Sequence, residues 1–209
     1  MPSAEAILAG LTRIANDAFL LAVVWHVVVA LLLVFFAVRG PLPRVGAVLA
    51  SAPLASVSAL AWSFGNPFNG AMFAVLAASL AILAGLRHGP DAARPTWARV
   101  AGGVMIAYAW VYPHFLESGG LAYLIGSPMG LVPCPTLALL LGLALVGVVR
   151  ARRAWSFVLA GAGLLYATIG VLRLGVVLDV PLFLGAIALV FVDARAPRPV
   201  ASLREATAR

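Results

Sequence analysis

Apolar residues run through this chain in long, nearly unbroken blocks, without the alternation of a surface strand or the narrow stripe of a soluble helix. A helix that crosses a hydrocarbon core of roughly 30 Å needs about 20 mostly apolar residues. Seven stretches meet that need, at 17–38, 45–63, 68–86, 100–117, 128–149, 154–172 and 175–193. Turn-forming or charged residues separate them: Arg39-Gly40-Pro41, Gly65-Asn66-Pro67, Arg87 to Pro90, Ser118-Gly119-Gly120, Arg150 to Arg153, and Arg173. Ser51, Pro53, Ser56 and Ser58 dilute the second stretch, yet Gly46 and Ala50 carry the small-xxx-small spacing of closely packed membrane helices. The pattern predicts an all-α, polytopic membrane protein with seven transmembrane helices.

Composition closes the other classes. Of 209 residues, 64% are apolar and 10% charged. Soluble domains run at roughly 45–50% apolar and about 25% charged, so a soluble fold of this size could not hide this much hydrocarbon. No loop between the stretches is long enough for a soluble catalytic domain, which puts function inside the membrane or at its faces.

Charge then orients the chain. On the seven-span reading Arg39, Arg44, Arg87, Arg94, Arg99, Arg150, Arg152, Arg153, Arg195, Arg198, Arg204 and Arg209 share one side, and only Arg13 and Arg173 lie on the other. Basic loops stay cytoplasmic during insertion, so the N-terminus is expected outside and the C-terminus in the cytoplasm. Glu5, Asp17, Glu117 and Asp179 then lie outside, opposite Asp91, Asp193 and Glu205. The net charge of +7 is thus a topology signal and calls for no nucleic acid. Three parts follow: an amphipathic helix on the outer surface over 1–16, carrying Ile7, Leu8, Leu11 and Ile14; the membrane domain over 17–193; and an Arg-rich cytoplasmic tail over 194–209. The start lacks the basic region of a cleavable signal peptide. The bilayer is the first partner, with anionic lipid expected at the Arg-rich inner loops.

Two counts limit the chemistry. Every basic residue is arginine, which excludes a retinal or pyridoxal Schiff base and any lysine-dependent phosphate loop. Cys134 is the single cysteine, so an intrachain disulfide and multi-cysteine metal cages are excluded too.

Polar groups at membrane depth remain as candidates. Tyr112, His114 and Glu117 close the fourth stretch; His114 and Glu117 share a helix face if the helix continues through Pro113. Cys134 lies between Pro133 and Pro135 near the start of the fifth stretch, just ahead of Thr136. Prolines remove backbone donors and disfavour helix in the residue before them, so the backbone at Cys134 is expected to be unwound, as in the broken helices of many transporters. Cys134, His114 and Glu117 together would suit a soft or borderline metal or a proton relay; alternatively Cys134 is a small buried hydrophobe beside a kink. His26 lies about 14 Å into the first stretch, where an imidazole relays protons, ligates haem or bonds a carbonyl. The asparagines of Gly65 to Gly70 read as turn chemistry, Asn16 and Asp17 as a helix cap, and Asp179 as a surface partner of Arg173.

Tyr112-Pro113, the run Gly126 to Gly130, Asn66-Pro67 and above all Pro133-Cys134-Pro135-Thr136 resemble an uncharacterised bacterial membrane family, domain of unknown function 6064. That family carries Thr-Pro-Glu near its start, where this chain has Ser3-Ala4-Glu5. The resemblance implies a multi-pass protein of the bacterial inner membrane and no activity; His26 and His114 fall outside its pattern. Three functions fit: a small-solute or metal-ion transporter with its site near the outer ends of the fourth and fifth spans; a membrane-embedded thiol, redox or haem protein; or a structural subunit or assembly factor, alone as a homo-oligomer or within a larger complex.

Overall fold

The computed structural model describes residues 3–41, 48–86, 94–149 and 153–195, and every regular element among them is helical. The helices are α1 (Ala4–Asp17), α2 (Phe19–Arg39), α3 (Ala52–Ser63), α4 (Pro67–Gly85), α5 (Thr96–Val111), α6 (Ala122–Gly126), α7 (Pro133–Val146), α8 (Arg153–Thr168) and α9 (Val180–Arg195). A π turn, Ile169–Arg173, extends α8, and a 3-10 turn, Val177–Asp179, leads into α9. Four of these runs are long and apolar enough to cross a membrane: Phe19–Arg39, Pro67–Gly85, Arg153–Arg173 and Val177–Arg195. The stretches expected at 45–63, 100–117 and 128–149 yield the shorter α3, α5 and α7, of 12, 16 and 14 residues. Gly46, His88, Arg44, Arg87, Arg150, Arg152 and the tail beyond Arg195 lie outside the described residues.

Local chemistry sets the helix ends. Ser3 caps α1 by accepting from the Ala6 N–H at 3.2 Å. Asn66 caps α4, its side-chain oxygen accepting from the Asn69 N–H at 3.1 Å, while Pro67 fills the first helical position, where no donor is needed. Pro113 works in the opposite sense: the residue before a proline avoids helical backbone, so α5 stops at Val111. The expected continuation to residue 117 fails, and His114 and Glu117 do not share a helix face.

Pro133 and Pro135 also correct an expectation. Both sit in the first turn of α7, where the missing N–H groups have no intrahelical partner to lose, so Cys134 is helical and not unwound. The irregular backbone lies just upstream, between α6 and α7. Ser127 to Val132 are buried there without regular structure. Polar side chains satisfy this segment: Thr136 Oγ1 accepts from the Gly130 N–H at 2.8 Å and donates to the Val132 carbonyl at 2.7 Å, and Ser127 donates to the Ala109 carbonyl at 3.0 Å. Irregular backbone in an apolar body survives only with such protein cover.

Helix α7 forms the centre, packed by α5, α8, α9 and α3, with Leu137 to Leu145 all buried. Its tightest neighbour is α5. A Cβ on Gly102 would lie 2.7 Å from the Gly142 carbonyl oxygen, and one on Gly142 would lie 2.8 Å from the Gly102 oxygen. The two backbones therefore touch, as small-residue crossings allow. Helices α3 and α4 form an antiparallel pair along this body, and α2 stands at its edge with an apolar, mostly exposed surface.

Contacts between loops sort into two ends. At one, Arg94 forms a bidentate ion pair with Asp193, with its second bond at 3.4 Å, and Arg195 stacks over Phe191 at 3.7 Å. At the other gather α1, the Phe64 turn, the segment from Tyr112 to Val132, and Asp179. Helix α1 is docked there: Leu11, Ile14 and Ala15 are buried in a cluster with Tyr112, Phe115, Leu116, Leu131 and Val132. Asp17 is the last residue of α1, paired with Arg13 at 3.4 Å, and does not cap the first span.

Candidate functional site

Asp179 organises the polar cluster. Only 1% of its surface is exposed, so it is not the surface group expected from its spacing to Arg173. Each carboxylate oxygen accepts a hydrogen bond from a different helix end: the Tyr112 hydroxyl donates to Oδ1 at 2.8 Å, and the Cys134 thiol donates to Oδ2 at 3.2 Å. Next to it the Tyr108 hydroxyl donates to the Leu178 carbonyl.

The local fold makes room for this carboxylate. The π turn places Gly170 against Asp179 so closely that a Cβ on Gly170 would lie 1.9 Å from Oδ2. Widened turns of this kind recur at functional sites, where they re-aim a helix wall. Proline supplies the other wall: the break at Pro113 turns Tyr112 out of α5, and the start at Pro133 brings Cys134 into the first turn of α7.

The expected site residues separate into two sets. Cys134 and Tyr112 meet at Asp179, and His114 lies two residues beyond Tyr112, past Pro113. The His114 ring also packs against Phe115, with centroids 4.2 Å apart. Glu117 is exposed, and its N–H donates to the Asn16 side chain at 3.1 Å. Among the described residues no three His, Cys, Asp or Glu side chains gather as a metal site, so Cys134, His114 and Glu117 do not form the expected ligand set. Thr136 supports the buried loop above α7 and faces that backbone.

His26 is apart from this cluster. Its Nδ1 is 2.8 Å from the Ala22 carbonyl, its Nε2 is 3.0 Å from the Trp110 carbonyl, and its ring meets the Trp110 ring edge-on at 4.7 Å. Trp110 lies in the last turn of α5, whose carbonyls lack helical partners, so His26 ties α2 to that helix end. A haem iron would have to displace one of these carbonyls from the imidazole.

Asp179 itself is the residue that spacing did not single out. The signal available was an acid flanked by apolar residues on both sides, Val176 to Leu178 and Val180. Asn69 belongs to a neighbouring buried pair: its side-chain oxygen accepts from the Tyr166 hydroxyl at 3.0 Å, which gives it a role beyond turn chemistry.

Chemically, a carboxylate flanked by a phenol and a thiol can take up, hold and release a proton, or serve as the base for a thiol nucleophile. No family model matches the chain, and neither a curated protein nor a solved structure matches it.

Proposed function

We propose that this is an integral protein of the bacterial cytoplasmic membrane, with seven spans and an outside N-terminus, that transports a small solute or an ion. Its site is Asp179 with Tyr112 and Cys134, below the outer mouth. The observation that carries this reading is the buried carboxylate of Asp179, hydrogen-bonded at both oxygens within an otherwise apolar body. Ionisable groups held at such cost line ion and substrate pathways in membrane proteins. The loop pairings support the topology. Arg94 and Asp193, which the arginine count places inside, meet each other, while Asn16, Phe115, Cys134 and Asp179, placed outside, meet at the other end. The short α3, α5 and α7 complete the count of seven together with their flanking segments. Anionic lipid at the inner arginines belongs to this reading, as does the resemblance to domain of unknown function 6064, which rests on Pro133 to Thr136 and assigns no activity.

Proteoliposomes loaded with a pH-reporting dye test the function. With a mixed pool of amino acids, sugars and carboxylates outside, an imposed proton gradient should collapse faster than in empty liposomes. Asp179→Asn should return the rate to the empty-liposome value while keeping elution profile and melting temperature. Equal rates for both proteins would remove Asp179 from the function. A second reading, a membrane-embedded thiol enzyme, is favoured by the 3.2 Å contact from thiol to carboxylate, which pairs a nucleophile with a base. Cys134→Ala separates the two: a transporter keeps measurable flux without the thiol, whereas a thiol enzyme loses all activity.

A further inference from the structure

The turn above Asp179 combines three features that packing alone does not require. Phe115 has φ +81°, and among the described residues it is the one non-glycine with positive φ. A bulky residue there is strained, and such strain concentrates at switch segments. Its ring lies nearly parallel to that of Tyr112, with centroids 6.1 Å apart, and so covers the side chain whose hydroxyl holds Asp179. The same turn is held from α1 by one side chain: the Asn16 amide donates to the Phe115 carbonyl at 2.9 Å and its oxygen accepts from the Glu117 N–H at 3.1 Å. On its other flank the Tyr123 hydroxyl bonds the Leu116 N–H and carbonyl, both at 3.1 Å.

We infer that the Phe115 turn is the gate over the Asp179 site, and that Asn16 is the latch that holds it shut. The two Asn16 hydrogen bonds, beside the pair that Tyr123 makes at Leu116, oppose a strained backbone. Releasing the Asn16 bonds lets Phe115 relax out of positive φ, lifts its ring from Tyr112, and opens the way to Asp179 and to Cys134, which is part-buried while the turn is shut. Side chains that exchange backbone partners easily suit this use, because each bond has a modest net worth. The inference rests on the proposed placement of the site under the outer mouth.

Cys134 is the single cysteine, so the native chain carries its own probe. The rate at which a membrane-impermeant, positively charged methanethiosulfonate labels it is read in right-side-out and inverted vesicles, beside the melting temperature of each variant. Native protein, whose Cys134 is part-buried, sets the baseline rate. Asn16→Ala should label about tenfold faster, the size expected for losing bonds of this kind. Asn16→Asp, which keeps the acceptor for Glu117 and loses the donor to Phe115, should fall between them. Phe115→Gly should also label fast, but at a lower melting temperature, because it deletes a buried ring together with the strain; the Asn16 variants therefore carry the separation of gate from fold. A merely structural role would couple faster labelling in those variants to loss of stability. Native-rate labelling in Asn16→Ala and Phe115→Gly, or faster labelling only in variants that have lost their fold, would overturn the gate. Labelling confined to inverted vesicles would sink the outside assignment of the site, while the ratio between variants would still report on the gate.

Discussion

The two halves of this helical body are closed by opposite means. Toward the Arg94 end, α7 presents leucine and alanine on every side, and the contact of Gly102 with Gly142 brings two backbones together with no side chain between them. Among the described residues the core of that half is sealed by shape, with the Arg94–Asp193 ion pair at its end. Toward the Asp179 end the backbone is interrupted at Pro113 and again over Ser127 to Val132, and hydroxyl, amide, thiol and carboxylate groups hold the pieces together. That half is sealed by hydrogen bonds, which can exchange partners at small net cost. One chain thus provides a packed floor and a remakeable ceiling, the division that suits the proposed site reached from one side.

Substitutions can break this contrast. The largest effect is expected for Gly102→Val, whose added carbons meet backbone atoms of α7 at 2.7 Å that cannot move aside. It should destabilise by about 3 kcal/mol, read as a lower melting temperature in detergent. A tolerated valine would show that the floor is not sealed by shape. Gly170→Ala comes next. Its methyl group would displace the Asp179 carboxylate, so both bonds to that group loosen, a loss of about 2 kcal/mol. Here the loss of proton flux should exceed what the change in melting temperature explains. Flux at the native level would show that the close fit of the π turn is not needed by the site. The smallest effect belongs to Arg13→Ala. Its pair with Asp17 is exposed and within one helix, so the cost should be at most about 0.5 kcal/mol, with flux unchanged. A loss of several degrees in melting temperature would move α1 from cover to core.

Sequence pattern and structure agree on the helical class and diverge at the helix ends. Each apolar stretch contains a helix, because burying that much hydrocarbon leaves the backbone few other ways to satisfy itself. Proline was the ambiguous letter. Pro113 ends α5, as the rule for the preceding residue states, while Pro133 and Pro135 begin α7 where a break was expected. A proline breaks a helix only if a helix precedes it, and the buried loop before Pro133 is a tertiary outcome. Asp179 was obscured in a similar way. Its sequence neighbourhood offers Arg173, six residues away, and nothing in that spacing points to Tyr112 and Cys134, 67 and 45 residues away, which hydrogen-bond its carboxylate. Asn16 reads locally as a cap and acts on a turn 99 residues distant. Cys134 and Tyr112 could be singled out because polar groups are rare in such a chain; their partner could not, because only Gly170 and the turned end of α5 create its place.

The enclosure of α7 also bears on biogenesis. Two of the helices that wall it, α8 and α9, follow it in the chain and are synthesised after it. Its neighbours α5 and α3 precede it, so in the proposed membrane setting α7 waits for α8 and α9 with part of its circumference against acyl chains. Its leucine-rich surface, buried in the folded chain, is therefore suited first to lipid as a temporary neighbour and only later to α8 and α9. Residues of this segment answer to two environments in succession, and a polar replacement tolerable in the finished centre would still have to survive the wait outside it.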